Sequence, residues 1–208
     1  MNKELKQLLL NNEELLERAN LIKKLSNDIS ENIKNIYELE NGKLFYLLIA
    51  NYSAQKKAPL IEKFLCHKLN LTSVPSSQNQ GDAKDGENHY YEFKFSTTNE
   101  GGNLNLRQIR PWQDIDYYYC GYIDDKKNID DSKFYILTKQ QMLEEIELNN
   151  ASFTHGVKDI NIINQYSEYS ITIPMHSKTS KKLQRWNEKY FSEDLKNKIL
   201  GGNKNGSR

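Results

Sequence analysis

Cysteine is scarce in this chain: Cys66 and Cys120 are the only two among 208 residues. A disulfide framework needs several cysteines and a structural zinc site needs paired ones, so neither organises the fold, and the two thiols read as reduced core residues. Net charge is also nearly absent, at +1. A nonspecific polyanion binder with an entirely basic surface is therefore excluded. No run approaches the roughly 18 consecutive apolar residues of a membrane span. Met1 to Leu10 carries an acid among its lysines and has no small-residue cleavage site, so a cytoplasmic protein is expected. Neither a Cys-x-x-Cys pair nor a Gly-x-x-x-x-Gly-Lys loop occurs, which removes zinc deaminases and phosphate-loop enzymes from consideration. There is no internal repeat and no low-complexity segment.

What is present suffices for a core. Hydrophobic residues make up 37% of the chain and 13 tyrosines add amphipathic bulk, so one globular domain with appendages is expected. Charge is unevenly spread. Between Ser177 and Arg208 nine Lys or Arg face three acids, a balance suited to a phosphate backbone or to a solvated tail, and residues 201–208 read as such a tail.

From Lys3 to about Glu40, apolar residues such as Leu5, Leu8, Leu9, Leu15, Leu16, Ile22, Leu25, Ile29, Ile33 and Ile36 recur at steps of three and four. That spacing predicts amphipathic helices, packed on the core or against a dimer partner. Residues 1–58 thus form a helical N-terminal region, with a helical stretch from Gly42 to Tyr52, and residues 59–200 form the core. Pro59 opens the next helix, with Leu60, Ile61, Phe64, Leu65 and Leu69 on its buried side and Glu62 and Lys63 on the other. A polar loop from Thr72 to Gln80 leads into a hairpin, Gly81 to Lys84 and His89 to Ser96 around a turn at Asp85 to Asn88.

Leu104 to Arg110 starts a helix or runs extended. Ile115 to Ile123 and Phe134 to Thr138 are buried strands, Lys139 to Leu148 is a helix, Ile171 to Ile173 is a short strand, and Lys181 to Leu200 is one terminal helix. This order of elements implies an α/β fold, a mixed central β-sheet flanked by helices.

The chemistry is concentrated in the hairpin. Glu92 and Lys94 are two residues apart on a strand and project from one face, with Tyr91, Phe93 and Phe95 on the other. Asp82, across the turn, can bring a second carboxylate to the same point. Two carboxylates without a nearby His or Cys suit a hard cation such as Mg2+. Such a cation polarises a phosphate oxygen and activates a water, and a lysine beside it neutralises charge developing on the phosphate.

The stretch Gln80-Gly-Asp-Ala-Lys-Asp-Gly through Tyr-Tyr-Glu-Phe-Lys-Phe-Ser96 resembles the signature of PD-(D/E)XK nucleases, in the type II restriction endonuclease form with Gly-Asp in place of Pro-Asp. Further similarity runs through Asn105 to Tyr119, Phe134 to Met142 and His155 to Lys158. The resemblance implies Asp82 and Glu92 as Mg2+ ligands and Lys94 as the catalytic lysine, with Asp85 as rival first acid. It also implies a helix glutamate, best matched by Glu62, which reads equally as a surface residue.

Duplex DNA cleaved at specific sites, a homodimer matched to a palindrome, and a companion DNA methyltransferase are the corresponding expectations. Another nuclease of this architecture, nicking or junction-resolving, carries the same triad. A noncatalytic DNA-binding or interaction module is the reading from a different class. Arg107, Gln108 and Arg110 are candidates for phosphate or base contacts. So are His155 and Lys158, though a hydrogen-bonded loop histidine explains His155 equally well.

Overall fold

The computed structural model describes residues 36–75, 79–97, 102–125, 127–149, 151–155 and 167–201. The chain divides into two compact units, residues 1–36 and 37–208, and the following concerns the second. The predicted N-terminal helices lie outside the described residues up to residue 35. Ile36–Glu38 is a short 3-10 turn.

A five-stranded mixed sheet holds β1 (Thr72–Ser73), β2 (Ala83–Lys84), β3 (Tyr90–Thr97), β5 (Tyr117–Ile123) and β6 (Lys133–Thr138), in the order β1-β2-β3-β5-β6. β3 and β5 are parallel, with Glu92 opposite Tyr118 and Lys94 opposite Cys120, and the other pairs are antiparallel. Between β3 and β5 the chain leaves to form β4 (Asn103–Ile109), the edge of a second, antiparallel sheet of order β4-β8-β7, with β7 at Ser152–His155 and β8 at Glu168–Pro174.

Helices flank the sheets. α1 (Gly42–Ile49) is capped by Asn41, whose side chain accepts from Leu44 N–H at 3.1 Å. Its Phe45 stacks on Phe64 of α2 (Ala54–Leu69) with ring centroids 3.9 Å apart. α3 (Lys139–Leu148) begins with the reciprocal capping pair Thr138 and Gln141. The main core joins Leu104, Leu106 and Ile109 of β4 and Tyr169, Ile171 and Ile173 of β8 to Tyr118, Cys120 and Tyr122 of β5. α3 and α4 (Lys181–Lys189) add Met142, Ile146 and Trp186.

Glu145 is held beneath this layer, fully buried, by donors from Arg185, Trp186, Tyr190 and Asn149. No helix among the described residues is long and apolar enough to cross a membrane.

Several elements differ from expectation. Pro59 does not open its helix. α2 starts five residues earlier, because Ala54 to Ala58 is a run of strong helix formers after the N-cap position Ser53. Part of the Thr72 to Gln80 loop pairs as β1 with β2. Leu104 to Arg110 is strand, and the short strand at Ile171 extends over Glu168–Pro174.

The terminal helix is two, α4 and α5 (Glu193–Leu200). At the break the backbone turns to the open edge of β6: Ile136 N–H donates to Tyr190 and Ser192 N–H to Phe134. Ser192 then caps α5. An exposed strand edge is covered at the cost of one helical turn.

Candidate active site

Gly81 sets the geometry. Its φ is +76°, and an added Cβ would come within 2.7 Å of the Tyr91 carbonyl oxygen. Only glycine lets the chain pass this close to β3 in the left-handed region. The next residue, Asp82, ties to β3 twice: its N–H donates to the Tyr91 carbonyl, and its Oδ2 accepts from Phe93 N–H at 2.7 Å. β2 is two residues long, so the Asp82 side chain continues the pairing where the strand has ended.

On the adjoining face Lys94 Nζ donates to Glu92 Oε1 at 2.6 Å. Both groups are largely withdrawn from solvent, with side-chain exposures of 13% and 6%. The other Glu92 oxygen, Oε2, is buried and accepts no hydrogen bond. The Tyr118 hydroxyl, on the strand position opposite Glu92, is also buried without a partner. Its ionisation is pushed up by burial and by the charge of Glu92.

Electrostatics bind these residues into one cluster. Burial first, then the charges of Glu92 and Glu62, push the Asp82 carboxyl up to about 7 against the Phe93 N–H and Lys94. Glu62, exposed on α2, lines a cleft of about 320 Å3 with Lys57, Phe93 and Phe95, the two rings that project from the other face of β3 than Glu92 and Lys94. Its carboxyl acts on the cluster through its charge. It too is raised, by desolvation first and by Glu92 second, with Lys94 opposing. Cys66, one turn along α2 from Glu62, has its thiol pushed up to about 11 by burial and by the charges of Asp82 and Glu62, which keeps it a neutral wall of the site.

Two acids and one lysine thus adjoin at the Gly-Asp turn and β3, with the charge of Glu62 felt from α2. Asp85, the rival first acid, has other work. Its carboxylate accepts from the N–H groups of Glu87 and His89 and from the Tyr91 hydroxyl, and it pairs with the His89 ring. Against its partial desolvation, these bonds hold it well below the usual carboxylate range, and it builds the hairpin turn.

A divalent cation fits the donors of this cluster. The set is hard oxygen, one buried carboxylate oxygen lacks a partner, and the charge of Glu92 helps to raise the Asp82 carboxyl. Among the described residues no three His, Cys, Asp or Glu side chains are arranged as a metal cage. Glu92 is closed on Lys94 and Asp82 on Phe93 N–H, so a cation here would rest on two carboxylates and on oxygens of water and substrate, the usual mode for Mg2+.

The candidate DNA contacts are placed unevenly. Arg107 and Gln108 are both exposed, side by side on β4. Arg110 is engaged: its Nε donates to Glu168 at 2.8 Å and its guanidinium lies over the Trp112 ring. His155 ends β7, and Lys158 lies outside the described residues.

Sequence reasoning overlooked Tyr118, because its neighbour Glu92 sits on a parallel strand far along the chain. It also overlooked Ser96, whose hydroxyl accepts from Asn105 N–H and donates to Asn105 O, tying β4 to the strand of Glu92 and Lys94. No protein-family model matches the chain, and no curated protein matches it in sequence.

Proposed function

We propose that this chain is a Mg2+-dependent endonuclease of the PD-(D/E)XK kind, with the restriction-endonuclease-like version of its mixed α/β fold, cutting duplex DNA at specific sites. The observation that carries this reading is the junction of Asp82, Glu92 and Lys94. There a buried carboxylate oxygen without a partner and a carboxyl lifted to about 7 adjoin a lysine largely withdrawn from water. A solvated ion pair on a strand surface shows none of these features.

Asp82 and Glu92 would hold the cation, which when bound polarises a phosphate oxygen and lowers the pKa of its water. Lys94, released from Glu92 Oε1, donates to the attacking water or to the phosphate oxygen that gains charge. Glu62, on α2, adds its negative charge to the field in which the cation would sit. Asp82 gives up its proton as the site is loaded. A homodimer, a cytoplasmic location and a partner methyltransferase that protects the host DNA belong to the same proposal.

Incubation with a long duplex DNA, with Mg2+ or with chelator, tests it. Discrete Mg2+-dependent fragments are expected. Nicked products alone would move the reading to a repair nuclease, and uncut DNA would leave a noncatalytic module.

A further inference from the structure

The second sheet has a division of faces that packing alone does not require. Its inner face is fully apolar, with Leu104, Leu106, Ile109, Tyr169, Ile171 and Ile173 at most 3% exposed. Its outer face carries amides, hydroxyls and one acid: Asn103, Asn105 and Gln108 on β4, Glu168, Ser170 and Thr172 on β8, and Ser152 on β7, with Arg107 among them and Glu168 neutralised by Arg110. Strict alternation along β4 would bury residue 108 after Leu104 and Leu106.

Instead Leu106 pairs with Ile171 and Ile109 with Tyr169, so that Arg107 and Gln108 together oppose the single residue Ser170. This is a β-bulge, and Gln108 is its extra residue at φ +53°. The other two non-glycine residues of positive φ among the described ones are Asn70 and Asn88, one closing a helix and the other in a turn, where asparagine is at home. Glutamine inside a strand has no such ease. The pairs on either side and the Arg110–Glu168 ion pair just beyond hold it there.

The bulge therefore spends backbone strain to turn two neighbouring long polar side chains outward on an edge strand. The strand is tied by Asn105 to Ser96, two residues past Lys94 on the same face of β3. With one cation in a row of amides and hydroxyls, this face suits base edges better than phosphates, which call for clustered lysines. Arg and Gln are the side chains that bond guanine and adenine in two places, and a two-stranded ribbon fits the major groove.

We infer that the β4–β8 face is the base-reading surface of this protein, with Gln108 and Arg107, presented by the bulge, as residues that determine which duplex sequence is bound. The inference rests on the DNA-cleaving reading above.

The experiment is selection from a random duplex pool by the full chain in chelator, for wild type, Gln108→Gly and Arg107→Ala, alongside thermal melts and Mg2+ digestion of phage DNA. Glycine accepts φ +53°, so Gln108→Gly keeps or raises the melting midpoint. Wild type is expected to enrich a motif, and each variant to lose preference at its own base position by roughly ten-fold or more. Variants that enrich the unchanged motif would overturn the inference and leave the nuclease reading standing. So would a wild type that cuts DNA yet enriches no motif. A protein that neither binds nor cuts duplex DNA would overturn both.

Discussion

Replacing Asp82 by Asn separates the cost of the site from its use. In the folded protein the Asp82 carboxyl rises from 3.8 to about 7. Between these values the folded chain retains a proton that the unfolded chain has released, so folding stability falls as pH rises through this window and levels off above it. At about 1.4 kcal/mol per pH unit, the ceiling is about 4 kcal/mol. Glu92 and Glu62 share the same field, and relaxation around them reduces the observable share to about 1 to 3 kcal/mol.

Asn at this position keeps an acceptor for Phe93 N–H and removes the charge. Urea melts at pH 5 and pH 8.5 in chelator read the difference directly. Asp82→Asn is expected to be ahead of wild type by about a third of that margin at pH 5 and by all of it at pH 8.5, while millimolar Mg2+ at pH 8.5 stabilises wild type alone. Parallel pH profiles for the two proteins, or a variant that loses ground as pH rises, would refute the reasoning.

Two other substitutions probe the frame. Gly81→Ala forces a Cβ against the Tyr91 carbonyl at positive φ. It is expected to destabilise the fold by at least about 1 to 2 kcal/mol and to weaken Mg2+ binding, checked by melts and calorimetric titration. Glu145→Ala leaves Arg185 and the Trp186 indole facing an empty acceptor and is expected to cost about 3 to 5 kcal/mol in a denaturant melt. Despite desolvation, its donors hold the Glu145 carboxyl below the usual range. Its contribution is therefore complete above about pH 4.5 and fades as pH falls further, a slope that Glu145→Ala should lack.

Period and punctuation made most elements legible in sequence. The alternation of Tyr91, Phe93 and Phe95 against Glu92 and Lys94 defined a strand and its two faces, and the helix expected over Lys139 to Leu148 is α3. The Gly-Asp pair and the turn at Asp85 placed Asp82 across from Glu92, since a short antiparallel hairpin leaves little choice of register. Three things were closed to that reasoning. The parallel pairing that puts Tyr118 beside Glu92 joins residues with no local relation. The break between α4 and α5 is dictated by hydrogen bonds to a distant strand edge, not by Tyr190 to Ser192 themselves. The bulge at Gln108 overrides both alternation and the ordinary preference of glutamine, and is visible only in the pairing of β4 with β8.

The central claim is that Lys94 acts in a metal-dependent hydrolytic site. Cleavage of long duplex DNA by wild type and Lys94→Ala, compared in Mg2+ with folding checked by circular dichroism, tests it most directly. The folded variant is expected to lose at least about 100-fold in rate; a folded variant that cuts at the wild-type rate would remove Lys94 from the chemistry.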